Sequence, residues 1–116
     1  MTGAVLNTIN IRLDAKTIAY ILDHSEAKVL VVDRQLHIEV KKALGILKRK
    51  ITIIDINDEH ADQSKCEKIG ELEYESFLST GDESYDWKMP EDEWQAISLS
   101  YTSGTTGNPK GVVYHH

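Results

Sequence analysis

The chain has 116 residues, with 13 Lys and Arg against 19 Asp and Glu, a formal charge of −6, and 41% hydrophobic residues. This is the composition of a soluble globular protein and excludes disordered and collagen-like chains. The longest apolar run, Val29 to Val32, is far short of a membrane span, and the acidic balance argues against nucleic acid as the main partner, which would need clustered Lys and Arg.

A chain of this size has room for one small domain but not two. Of the acidic residues, 14 lie between Asp55 and Glu93, with only Lys65, Lys68 and Lys88 among them, which reads as a solvated acidic surface. Cys66 is alone in a polar stretch, so no internal disulfide forms and the thiol reads as incidental. The N-terminus carries no basic segment followed by a long apolar one, so no secretory leader is expected.

Val5 to Ile11 alternates apolar and polar residues and fits a strand edge or a loop. Asp14 is placed to cap a helix running to about His24, with Ala15, Ile18, Ala19 and Leu22 on one apolar face. Lys28 to Asp33 is a β-branched run of the kind buried on both faces of a sheet. Leu36 to Lys50 reads as a helix with the stripe Leu36, Val40, Ala43, Leu44, Leu47; Gly45 weakens it by about 1 kcal/mol. Lys48, Arg49 and Lys50 would then favour its C-terminal dipole. Ile51 to Asp55 is a second buried-type strand, so strand, helix and strand form a βαβ unit and imply a parallel, layered α/β sheet. Asn57 to Gly70 reads as a loop. Glu71 to Ser79 reads as a short helix with Leu72, Phe77 and Leu78 turned inward, Thr80 to Glu93 as turns, and Ala96 to Tyr101 as a strand.

The chemistry concentrates in Tyr101-Thr102-Ser103-Gly104-Thr105-Thr106-Gly107-Asn108-Pro109-Lys110-Gly111. Gly104 and Gly107 allow backbone N–H groups to converge on an anion. Thr102, Ser103, Thr105 and Thr106 add hydroxyl donors, and Lys110 adds a mobile positive charge. The spacing is neither a Walker A loop nor a Rossmann fingerprint, both of which open a helix. Here the β-prone Gly111-Val112-Val113-Tyr114 follows, so the segment is expected to join two strands. It would hold a phosphate with amides, hydroxyls and Lys110 rather than with a helix dipole.

Thr102 to Gly111, TSGTTGNPKG, resembles the phosphate-loop signature of the adenylate-forming superfamily, which includes acyl-CoA and aryl-CoA synthetases, luciferases and peptide-synthetase adenylation domains. Gly3 to Leu13 resembles a segment of fatty acyl-CoA synthetases, Ala27 to Asp33 the strand that follows it, and Trp94 to His116 the fatty-acyl branch. Residues 58–89 are the least diagnostic.

The resemblance implies a ligase that joins a carboxylate to the α-phosphate of ATP, releases pyrophosphate, and then transfers the acyl group to coenzyme A. Ser103, Gly104, Thr105, Thr106, Gly107 and Lys110 would contact the ATP phosphates, Thr102 would lie at the phosphates and near Mg²⁺, and His116 matches a histidine common after this loop. His115 stands where Ser or Thr is more usual. The substrate implied is a small carboxylic acid, a medium- or long-chain fatty acid, and the location implied is cytoplasmic. The family's adenine and ribose sites, acidic metal ligand, acyl pocket and C-terminal catalytic lysine have no counterpart here, so no catalytic residue is assigned. Residues 1–116 are expected to be part of an N-terminal adenylation domain, inactive alone. The competing reading is a non-catalytic α/β interaction module that keeps the phosphate loop.

Overall fold

Asp14 starts the first helix as its sequence position requires: its Oδ1 accepts the Thr17 backbone N–H at 2.8 Å, and α1 runs Ala15–His24. The structure, a computed structural model, describes residues 3–102 and 107–116. Before α1 comes β1 (Leu6–Thr8), and after it β2 (Val29–Asp33), a 3-10 turn at Arg34–Leu36, α2 (His37–Ile46) and β3 (Thr52–Ile56). A 3-10 turn at Gln63–Lys65 precedes β4 (Leu72–Glu73), α3 (Tyr74–Leu78), β5 (Ala96–Thr102) and β6 (Lys110–His115).

The strands form two three-stranded sheets. In one, the order is β2-β3-β4 and every pairing is parallel. The expected βαβ unit is therefore present, with Val29 opposite Thr52 and Asp33 opposite Ile56. In the other, β1 pairs parallel with β5, and β5 pairs antiparallel with β6. Val5 to Ile11 thus contributes a three-residue edge strand rather than a loop alone.

The core lies where α1 meets α2. Ala15, Ile18, Ala19 and Leu22 of α1 pack with Ala43 of α2, and Leu30, Leu47 and Ile51 close around them. All four α1 residues were legible as one helical face.

Four expectations are corrected. β2 is not buried on both faces, because it is an edge strand: Val29 is 50% and Val31 47% exposed, and they line an open groove with Val5, Leu6 and Leu99. The central strand β3 shows that burial instead, with neighbouring Ile54 and Asp55 both buried. Second, α2 ends at Ile46, where Leu47 turns extended. The cationic trio lies beyond it, and Arg49 serves the other helix: it donates to the Leu22 carbonyl and, at 2.6 Å, to the Ala27 carbonyl, and pairs with Asp23 at 3.3 Å. A cation does sit at a helix C-terminus, but that helix is α1.

Third, Glu71 to Ser79 splits into β4 and the one-turn α3. Leu72 pairs with Ile54 in the sheet, and an extended Leu72 and Glu73 cannot also be helical. Fourth, Leu72, Phe77 and Leu78 are all exposed rather than inward, at 40%, 49% and 57%.

Asp55 organises the end of the parallel sheet. It is fully buried and accepts the backbone N–H groups of Ile69 and Gly70, both at 3.0 Å, and Arg34 Nε at 3.3 Å. A buried carboxylate is tolerated only when its oxygens are so satisfied. The loop from β3 to β4 is thereby tied to the turn after β2.

Candidate functional site

The signature segment joins β5 to β6, as the flanking β-prone residues suggested. The antiparallel ladder pairs Ser100 with Val112, Tyr101 with Gly111 and Thr102 with Lys110. Directly opposed residues of such a ladder project their side chains from the same face. Thr102 and Lys110 therefore stand side by side at the mouth of the connection. The Thr102 hydroxyl donates to the Lys110 carbonyl over 3.5 Å, and both residues are exposed.

Ser103, Gly104, Thr105 and Thr106 lie outside the described residues, so the hydroxyls and amides expected there are not placed. Gly107 is placed. Its φ of 146° is a backbone conformation that L side chains rarely adopt, while a Cβ there would meet nothing within 4 Å. The glycine is required by the backbone, not by crowding. Gly111 is the opposite case: a Cβ would come within 3.0 Å of Leu99 Cδ1 and 3.5 Å of Tyr101 Cζ.

Lys110 forms no ion pair among the described residues. An exposed ammonium beside a hydroxyl and a glycine with positive φ can receive an anion, and phosphate oxygens are the acceptors this donor set suits. A metal is another matter. Among the described residues no group of three or more His, Cys, Asp or Glu could hold one, and Thr102 alone gives a single neutral oxygen. The described residues therefore offer no protein cage for a metal, and Thr102 could add only one oxygen to a Mg²⁺ held mainly by nucleotide phosphates.

His116 is not brought to this end. It follows the last pair, Ala96 with His115, at the opposite end of β6 from Lys110. At about 3.4 Å per residue that is a separation of roughly 20 Å. His115 is instead held by a hydrogen bond to the Trp94 carbonyl, with its ring edge-on to Trp94 at 5.4 Å.

Two residues near the site were assigned no contact with a ligand by the sequence. The Tyr101 hydroxyl shares a hydrogen bond of 2.7 Å with His24 Nδ1, and both rings meet Tyr20. Burial pushes the Tyr101 phenol above its usual range, and Tyr20 adds to the shift. Nothing in the local pattern around His24 signals a partner 77 positions away.

Comparison with known proteins decides the family. Residues 1–116 match the AMP-binding enzyme family over the whole chain. The chain belongs to that family. An acetate–CoA ligase of Humulus lupulus is 48% identical across 100% of this chain and 22% of its own length. A peroxisomal acetate/butyrate–CoA ligase of Arabidopsis thaliana is 46% identical, with the same coverage. Among solved structures, an anthranilate–CoA ligase in complex with anthranoyl-AMP superposes with a TM-score of 0.80 at 26% identity, over 97% of this chain and 20% of that one. The chain thus spans about a fifth of the length of the curated relatives it matches. As a member of the AMP-binding enzymes it has the α/β architecture expected of them, and no described helix is long and apolar enough to cross a membrane.

Proposed function

We propose that this chain is the phosphate-loop portion of the N-terminal adenylation domain of an ATP-dependent acyl-CoA ligase. The observation that carries the reading is the closure of TSGTTGNPKG between β5 and β6 by the opposed pair Thr102 and Lys110, with Gly107 in a backbone conformation suited to glycine. In the proposed reaction a carboxylate oxygen attacks the α-phosphorus of ATP and pyrophosphate leaves. The coenzyme A thiol then displaces AMP from the acyl group.

The work of this chain is to hold negative charge as it shifts onto pyrophosphate. Lys110 supplies the positive charge and the Thr102 hydroxyl a neutral donor. Ser103, Gly104, Thr105, Thr106 and Gly107 supply the amides and hydroxyls of the same cradle. Donors already oriented toward the developing charge reorganise little during the reaction, which is why such groups can contribute several kcal/mol. His116, at the far end of β6, is given no phosphate contact.

For the acid, the relatives named for acetate, acetate or butyrate, and anthranilate support a small or aromatic carboxylic acid. The fatty-acid reading rests only on the resemblance of Gly3 to Leu13, Ala27 to Asp33 and Trp94 to His116 to that branch of the family. Acid-dependent ATP–pyrophosphate exchange by the complete protein, run with acetate, butyrate, a medium-chain and a long-chain fatty acid, and an aromatic acid, tests both points. Exchange with a short or aromatic acid is the expected result. Preference for the long chain restores the fatty-acid reading, and no exchange with any acid supports the non-catalytic module. The Arabidopsis relative is named as peroxisomal, so the cytoplasmic reading is tested by imaging a tagged complete protein.

A further inference from the structure

We propose that Tyr101 and His24 form an anchor that fixes both stems of the β5–β6 connection on helix α1, making them positioning residues for ATP phosphate binding; this rests on the function proposed above. Three observations converge on Tyr101. Its hydroxyl shares the 2.7 Å hydrogen bond with His24 Nδ1 at the last residue of α1. His24 is itself stacked on Tyr20, one turn earlier, at a ring separation of 5.2 Å and an angle of 24°. Tyr101 stands edge-on to both, at 5.8 Å from His24 and 6.5 Å from Tyr20. Its ring also lies over Gly111, its ladder partner, where a Cβ would come within 3.5 Å of Cζ.

Tyr101 therefore touches three parts of the molecule at once. It is the residue before Thr102 on the outgoing stem. It covers the residue after Lys110 on the returning stem. Its hydroxyl reaches the end of α1, whose other face is built into the main core through Ala15, Ile18, Ala19 and Leu22. A two-stranded ribbon is marginally stable by itself, and here only three residues of β1 extend it, so packing on a helix adds support. Pinning it to a packed helix restricts where Thr102 and Lys110 can stand, and such restriction reduces the ordering that ATP binding must impose. The edge-on ring geometry is the favoured one for aromatic pairs.

The anchor makes no contact with substrate in this reading, so its loss is felt in ATP binding. In the complete protein, Tyr101→Phe removes the hydroxyl with little change in shape. His24→Ala removes the partner, and His24→Asn keeps a hydrogen-bonding atom at the position of Nδ1. ATP–pyrophosphate exchange is measured with each, together with amide hydrogen exchange across peptides containing residues 101–102 and 110–111. Expected are a KM for ATP raised roughly threefold to tenfold in Tyr101→Phe and His24→Ala, as loss of one hydrogen bond implies. The KM values for acid and coenzyme A stay unchanged. The double variant is no worse than either single one, His24→Asn recovers most of the effect, and stem amides exchange faster while those of β2 and β3 do not. An equal change in all three KM values, or a fall in active enzyme with no change in KM, shows a merely structural pair and overturns the proposal. If the wild-type protein shows no acid-dependent exchange, the function proposed above fails, and the anchor is judged by the amides alone: stems that exchange no faster in Tyr101→Phe overturn it.

Discussion

Thr102 and Lys110 are the last opposed pair of the β5–β6 ladder, so the hydroxyl and the ammonium near the two ends of the signature segment leave the sheet on one face. Neither residue is adjacent to the other in sequence. Their juxtaposition comes from the register, which Gly111 permits by letting Leu99 and Tyr101 close over it. That relationship gives the segment fixed ends and places its one lysine at the mouth.

The register makes Gly111 sensitive. Gly111→Ala would place a methyl 3.0 Å from Leu99 Cδ1 and 3.5 Å from Tyr101 Cζ. The neighbours must shift by a few tenths of an ångström, at a cost of about 1–2 kcal/mol. Thermal unfolding should show the loss, and ATP affinity should fall with it as the stem is displaced. An unchanged midpoint together with unchanged ATP affinity contradicts the packing described.

Asp55 is the second point of fragility. Asp55→Ala leaves the N–H groups of Ile69 and Gly70 and the Arg34 guanidinium without their buried acceptor. Stability should drop by about 3–5 kcal/mol, read as a lower midpoint in denaturant. Asp55→Asn keeps the shape and one acceptor oxygen, and should lose less.

Gly70 belongs to the same knot for a steric reason. A Cβ there would fall 2.5 Å from the Ile53 carbonyl oxygen, a backbone atom that cannot swing aside. Gly70→Ala should therefore destabilise by more than about 1 kcal/mol, and the Asp55→Ala/Gly70→Ala double variant should be less than additive because both disrupt one loop.

The helix cap gives a pH dependence. The backbone and side-chain hydrogen bonds from Thr17 hold the Asp14 carboxyl below its ordinary value. A depressed folded-state pKa stabilises the fold above the unfolded value, and that contribution disappears as pH falls through the folded one. Wild type and Asp14→Asn should thus differ at neutral pH and converge in acid. A difference that grows on acidification contradicts the cap.

Much of the fold was legible because it depends on local chemistry. Asp14 announces a cap, the α1 face has helical spacing, and the β-branched runs at residues 29–32 and 51–54 mark strands whichever neighbours they find. What was not legible depends on partners distant in sequence. Arg49 looks like the end of its own helix and instead binds the carbonyls of Leu22 and Ala27. Phe77 and Leu78 have an apolar pattern and yet stand exposed. Leu72 is taken from a helix by pairing with Ile54. At the site, Thr102, Gly107 and Lys110 could be chosen from the motif. The hydrogen bond from Tyr101 to His24 could not, because it joins elements that no local pattern connects.

The most direct test of the phosphate role is acid-dependent ATP–pyrophosphate exchange by the complete protein in three forms: wild type, Lys110→Ala and Glu83→Ala. Glu83 lies exposed in the acidic turn region, far from the motif in sequence. Removing the lysine should lower exchange on the order of 100-fold or more, while Glu83→Ala stays near wild type. Equal effects of the two substitutions contradict the assignment of Lys110 to the phosphates of ATP.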